Sequence, residues 1–150
     1  MKKIVIILTL FISMAGQLVM AADDEKVTRA AQKAFEKEFP GALSPKWEKL
    51  QDTDTYLVRF VYNSGGMIAY INNDGAMLAT ARIVEKENLP FRVNEKMARK
   101  YPGFRINKIE ELSTATDVSY LLTIENIKER ISLQAYGNGI FYRLKKEKIK

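Results

Sequence analysis

An aromatic residue followed by proline and glycine occurs twice in this chain, and this repeat constrains the fold more than any other feature. Phe39-Pro40-Gly41 is followed 62 positions later by Tyr101-Pro102-Gly103. Each copy ends a charged segment, and proline and glycine are the residues that most often stop a helix. The spacing therefore predicts two units of similar length and similar fold.

The segment before each aromatic-Pro-Gly motif has the periodicity of an amphipathic helix. In the segment 23–39 the apolar residues recur at the i, i+3, i+4, i+7 spacing that places them on one stripe. In the second segment, Leu89, Val93, Met97 and Tyr101 share such a stripe. We therefore predict a helix before each aromatic-Pro-Gly motif.

In the segment after each aromatic-Pro-Gly motif, apolar residues alternate with period two, which is typical of half-buried strands. Alternating apolar positions at 56–60 and 67–71 recur 64 positions later, at 120–124 and 131–135. A whole unit thus repeats, as one helix followed by about four antiparallel strands. The prediction is an α+β fold of tandem α-β-β-β-β repeats, at about 22–88 and 89–150, with both helices packed on one face of an antiparallel sheet.

The first 21 residues have the pattern of a secretory signal peptide. Lys2 and Lys3 precede an apolar run over 4–14, and Ala21 offers a small residue for cleavage. The run is shorter than the about 20 apolar residues that a membrane span needs. We therefore expect an exported, periplasmic or secreted domain over 22–150, without stable membrane insertion after cleavage.

Two missing residue types exclude much chemistry. The chain has no cysteine and no histidine, so it has no disulfide, no Ser-His-Asp or Cys-His pair and no His or Cys metal site. Without Lys2 and Lys3, 22 basic residues face 18 acidic ones, which is too mild an excess to indicate nucleic-acid binding. We expect no cofactor and no metal, and a carboxylate-based hydrolase is the remaining enzymatic alternative, for which no acid/base constellation is visible.

Several short motifs together resemble the PepSY-like family of exported bacterial proteins, which are also described as beta-lactamase-inhibitor-like. The motifs are AFEKEFPGA over 34–42, YLVRF over 56–60, NDGAM over 73–77, YPG over 101–103 and YLLTI over 120–124. The resemblance implies export, no cofactor and a duplicated fold like that of the beta-lactamase inhibitor protein, which grips its target with a sheet face. It implies no catalytic motif, and no beta-lactamase-contacting motif is visible.

Turn chemistry separates the two faces of the predicted sheet. If Asp74-Gly75 and Asn138-Gly139 are two-residue turns, the pairing of the flanking strands follows, and directly paired residues share a face. The face away from the helices would then be open to solvent and would combine aromatic residues with arginines, as binding surfaces do. The candidate partner-binding residues on this face are Arg59, Tyr70, Met77, Tyr136, Phe141 and Arg143.

These observations predict an exported, non-enzymatic module that binds a protein or peptide through the open sheet face. Inhibition of a periplasmic or secreted enzyme is one form of this function. The alternative is a structural or envelope-stress protein that associates with itself through the same face. The expected state is a monomer or a weak dimer, without nucleic acid as a partner.

Overall fold

The computed structural model describes residues 26–149 and contains one eight-stranded sheet and two α-helices. The strands follow one another in the order of the sequence, from β1 to β8, and every neighbouring pair is antiparallel. The helices and strands are α1 (Arg29–Glu38), β1 (Leu43–Lys49), β2 (Thr55–Tyr62), β3 (Gly65–Asn72), β4 (Met77–Ile83), α2 (Phe91–Lys100), β5 (Arg105–Thr114), β6 (Val118–Glu125), β7 (Glu129–Tyr136) and β8 (Phe141–Lys148), with a 3-10 turn at Lys86–Asn88 between β4 and α2.

The α+β class and the helix-plus-four-strand order are confirmed. The order α-β-β-β-β occurs twice, and the second copy begins after the connector that contains the 3-10 turn. The predicted signal peptide, residues 1–21, lies outside the described residues. None of the helices between residues 26 and 149 has the length and apolar character needed to span a bilayer.

Both helices end at the aromatic-Pro-Gly motif, as the sequence predicts, but α1 begins at Arg29 and not near residue 23, since residues 26–28 are not helical. Thr28 caps α1, because its Oγ1 accepts a hydrogen bond from the Ala31 amide at 3.2 Å and donates one to the Asn73 carbonyl at 2.7 Å. At the other end, Phe39 follows the last helical residue and its amide bonds to the Phe35 carbonyl. The cap thus ties the start of α1 to the loop between β3 and β4.

The helices cover one face of the sheet, with one apolar cluster per unit. In the first unit, Phe35, Phe39 and Phe60 stack edge-on or tilted at centroid distances between 4.6 and 5.6 Å. In the second unit, Val93 and Met97 of α2 pack on strands β5 to β7. We call this side of the sheet the helix face.

The opposite side, which we call the open face, carries its own apolar cluster, most of it in the first unit. Leu57, Tyr70 and Leu112 are at most 3% exposed, although α1 and α2 both lie on the other side of the sheet. The full cluster is Leu50, Leu57, Tyr70, Ala79, Ala81 and Leu112. The open face is therefore partly a second core rather than a uniformly solvated surface.

Both hairpins that were predicted to have two-residue turns have three-residue loops instead. The Gly75 amide bonds to the Asn72 carbonyl and Gly75 has a φ of 85°, while the Gly139 amide bonds to the Tyr136 carbonyl with a φ of 80°. A left-handed glycine at the third loop position is the usual geometry of a three-residue hairpin loop. The return strands therefore start one residue out of the predicted register.

This shift moves three predicted residues to the helix face, so their placement on the open face was wrong. Met77 lies opposite Ile71 and packs on the first cluster. Phe141 lies opposite Ala135 and packs on the second cluster, and Arg143 lies opposite Leu133, a helix-face core residue. A one-residue slip exchanges the faces of a strand, because side chains alternate.

Candidate functional site

The open face retains three of the predicted binding residues, but it does not expose them equally. Arg59, Tyr70 and Tyr136 all lie on this face, as their cross-strand partners Ile68, Leu57 and Ser119 show. The structure does not bring them into one cluster with Met77, Phe141 and Arg143, which lie on the other side of the sheet. The predicted site therefore does not exist as one surface.

Tyr70 is part of the open-face cluster and is only 2% exposed. Burial, with the nearby Glu110 carboxylate as the second cause, raises the pKa of its phenol well above the usual value. The residue was predicted from its chemistry as an exposed aromatic, but the structure places it in a core. Its truncation is expected to affect stability as well as any binding.

Tyr136 keeps its predicted face and has a second tyrosine beside it there. Tyr142, displaced by the three-residue loop, lies opposite Gln134 and meets Tyr136 edge-on at 6.1 Å between ring centroids. Burial, followed by the nearby Asp117 and Tyr142, raises the pKa of Tyr136. These two tyrosines are the aromatic part of the open face in the second unit.

Three exposed apolar residues of the open face form a row across the first four strands. Leu43 of β1 lies opposite Val61 of β2, and Val61 lies opposite Gly66 of β3. The pairing of Met67 with Arg82 brings Gly66 opposite Ile83 of β4. We call Leu43, Val61, Gly66 and Ile83 the apolar row.

The side chains of the apolar row are exposed to solvent, and Gly66 leaves an open space among them. Leu43, Val61 and Ile83 are 64%, 40% and 66% exposed. At Gly66, a Cβ atom would meet no atom within 4 Å, so the surface there is open. A row of large apolar side chains around a bare glycine is a shallow notch into which an apolar side chain of a partner could fit.

Ion pairs on the same face lie beside the apolar row. Arg59 Nη1 lies 2.8 Å from Glu48 Oε2, on the two strands that carry Leu43 and Val61. Lys108 Nζ lies 2.8 Å from Glu110, which is directly opposite Ile83. An apolar centre with a polar rim is the common arrangement of protein interfaces.

The second unit carries a denser polar network on the open face. Glu125 accepts hydrogen bonds from Arg105 at 2.5 Å and from Arg130 at 3.0 Å, and also from the Asn107 side chain. These donors, with Asn107 contributing most, lower the pKa of Glu125 from 4.5 to about 2. The carboxylate is thus fixed as an anion and is a poor general acid or base near neutral pH.

The described residues hold no group of three or more acidic side chains that could bind a metal ion. Sequence reasoning missed the apolar row because Leu43 lies before the first alternating segment, 56–60, in a stretch without a clear strand pattern. The parity of Val58 and Phe60 on the helix face could have placed Val61 on the open face. The exposure of Ile83 depends on the residue at which β4 ends, and the sequence contains no strong signal for the end of this strand.

Comparison with known proteins places this architecture among solved structures. A protein from Bacteroides eggerthii that is thought to be periplasmic matches with a TM-score of 0.71 and 13% identity, over 83% of this chain and 90% of its own. A BLIP-like protein from Bacteroides fragilis matches with a TM-score of 0.66 and 19% identity, over 85% and 92% of the two chains. A DUF2874 family protein from Bacteroides uniformis matches with a TM-score of 0.71 and 12% identity, over 82% and 90%.

These similarities define the fold as BLIP-like, since identities of this size support the fold alone. None of the three descriptions names an enzymatic activity. No protein family model matches the chain. No curated relative matches it either.

Proposed function

We propose that the chain is an exported, non-enzymatic module that binds a protein partner through the open face, in the manner of a PepSY-like or BLIP-like inhibitor. The observation that carries the proposal is the apolar row, because Leu43, Val61 and Ile83 are large, apolar and exposed on one face of a sheet. The thought-to-be periplasmic neighbour supports export. The absence of histidine and cysteine supports a binding role.

The aromatic and arginine residues of the original prediction have a revised part in this proposal. Arg59, held by Glu48, stands at the rim of the apolar row, and Tyr136 with Tyr142 extends the surface into the second unit. Tyr70 supports the face from within, because it is buried. Met77, Phe141 and Arg143 are excluded, because they lie on the helix face.

The test is affinity capture from periplasmic extract with a pair of matched variants. Leu43→Lys with Val61→Glu introduces opposite charges at directly opposed positions, which a sheet tolerates. Val118→Glu with Ile140→Lys makes the same change at two residues that are similarly exposed, at 43% and 44%, on the helix side. We expect the partner retained by the wild type to be lost only from the first variant, and equal retention by both variants would refute the proposal.

Self-association through the same apolar row is the second candidate, since two copies could bury their rows against each other. Sedimentation velocity across a dilution series separates the two. A monomer at all concentrations supports a different protein as the partner. A dimer that the Leu43→Lys, Val61→Glu variant abolishes supports self-association.

A further inference from the structure

Each unit contains a groove between the end of its helix and the start of its first strand. The groove of the first unit has a volume of about 440 Å³ and that of the second about 760 Å³. Every residue that lines the first groove has its counterpart, 62 positions later, among the residues that line the second. These pairs include Phe39 with Tyr101 and Trp47 with Ile109.

The second groove has an additional wall and a strand edge without a partner. The connector after β4 forms the wall, and Asn94 of α2 fixes it by donating to the carbonyls of Lys86 and Leu89, both at 3.3 Å. The last backbone bond between this connector and β5 runs from the Val84 amide to the Ile109 carbonyl at 3.0 Å. Within the described part of the chain, the β5 segment 105–108 pairs only with β6.

The first groove differs at the positions that matter for adding a strand. Its β1 edge carries Pro45, which has no amide hydrogen, and Ser44 there has a φ of 51°. Proline and local distortion both protect a sheet edge from pairing with another chain. In β5 the counterpart of Pro45 is Asn107, which has an amide hydrogen. The register of β5 against β6 also shifts there, between Ile106 and Lys108, but no residue of β5 has a positive φ.

We propose that the second groove binds an extended peptide segment of a partner protein, which adds to β5 as a short antiparallel strand. Unused backbone donors and acceptors along an edge are complemented best by another main chain. Four residues of β5 offer about 13 Å of edge, at about 3.3 Å per residue. An apolar side chain of the peptide would meet Met97, Tyr101 and Ile106 on the groove floor.

This site shares Ile83 with the apolar row, but none of the other residues of the row lines the groove. The variant Leu43→Lys, Val61→Glu alters the apolar row alone, because neither residue lines the groove. Failure of the proposed function and failure of this inference are therefore distinguishable.

The first experiment is an NMR titration with a neutral, blocked pentapeptide, acetyl-Thr-Val-Leu-Val-Thr-amide. We expect saturable shifts of the backbone amides of 104–109, and at least tenfold weaker binding of the same peptide with methylated main-chain nitrogens. Absence of shifts at millimolar peptide, or equal binding of the methylated peptide, would overturn the proposal. Shifts of these amides with protein concentration alone would also overturn it, in favour of a second copy of the chain as the occupant.

The second experiment fills each groove from its helix. Ala98→Tyr enlarges an exposed residue of α2 that lines the second groove, and Glu36→Tyr is the matched change at the equivalent position of the first. We expect at least a tenfold loss of pentapeptide affinity for Ala98→Tyr and no change for Glu36→Tyr. Equal affinity of Ala98→Tyr and the wild type would contradict a binding position in the second groove.

Discussion

Glu125 shows how one residue can couple the open face to pH. Its carboxylate joins Arg105 and Arg130 on neighbouring strands, and Asn107 adds the largest share to the lowering of its pKa to about 2. A group whose pKa is lowered by folding stabilises the folded state above its unfolded pKa. That stabilisation is lost as the pH falls through the folded value.

We therefore predict that Glu125→Gln lowers the melting temperature at pH 7 and that the deficit shrinks between about pH 4.5 and pH 2. Both the wild type and the variant carry an uncharged group at position 125 below that window, so their stabilities should converge there. Thermal unfolding followed by circular dichroism across this range measures the difference. A deficit that is independent of pH would show that the ion pairs are not its cause.

At this scale the sequence predicts residue chemistry better than residue environment. It identified Arg59 and Tyr136 on the correct face, because the alternation in β2 and β7 is regular. It could not predict the burial of Tyr70, since a strand pattern fixes the face of a side chain and not the cover over that face. The apolar row was missed for a related reason, because it depends on the ends of strands.

The hairpin loops are the elements that decide which residues share a face. A three-residue loop with a left-handed glycine changes the first pairs of the return strand by one position, and this change reversed the predicted faces of Met77 and Phe141. Gly75 has a second role, because a Cβ atom there would lie 2.7 Å from the Ala30 carbonyl oxygen in α1. The loop thus touches the first turn of the helix that Thr28 caps.

Substitution at two left-handed glycines separates these effects. Gly75→Ala adds both a strained φ and a clash with backbone, whereas Gly41→Ala adds only the strained φ, since nothing lies within 4 Å of its Cβ position. We expect Gly41→Ala to cost about 1–2 kcal/mol of unfolding free energy and Gly75→Ala to cost clearly more. Urea denaturation of both variants measures this, and equal costs would show that the loop does not press on α1.

The order of helices and strands was the feature of the fold that the sequence predicted best. The aromatic-Pro-Gly motifs lie where the helices end, and the alternating segments form β2, β3, β6 and β7. Loop length was not predictable from Asp74-Gly75 or Asn138-Gly139 alone, because the same dipeptides suit two-residue and three-residue hairpins. Contact between the loop and the helix, such as that at Gly75, selects between them only in the folded chain.

The whole molecule combines two units of the same order into one continuous sheet, with both helices on one side. This arrangement leaves the open face as a surface that spans both units, with the apolar row in the first and the Glu125 network in the second. An origin by duplication remains a prediction from the matching order and the 62-residue spacing. The chain shares the BLIP-like fold with the solved neighbours, and the binding role is the proposal that rests on the apolar row.

The most direct measurement of this central claim is site-specific photocrosslinking in cells that produce the protein. A photoreactive phenylalanine replaces Val61 on the open face in one variant and Val118 on the helix face in the other, two residues of similar exposure. We predict an adduct with a second protein from position 61 and none from position 118. An adduct from position 118 alone, or no adduct from position 61, would contradict the account.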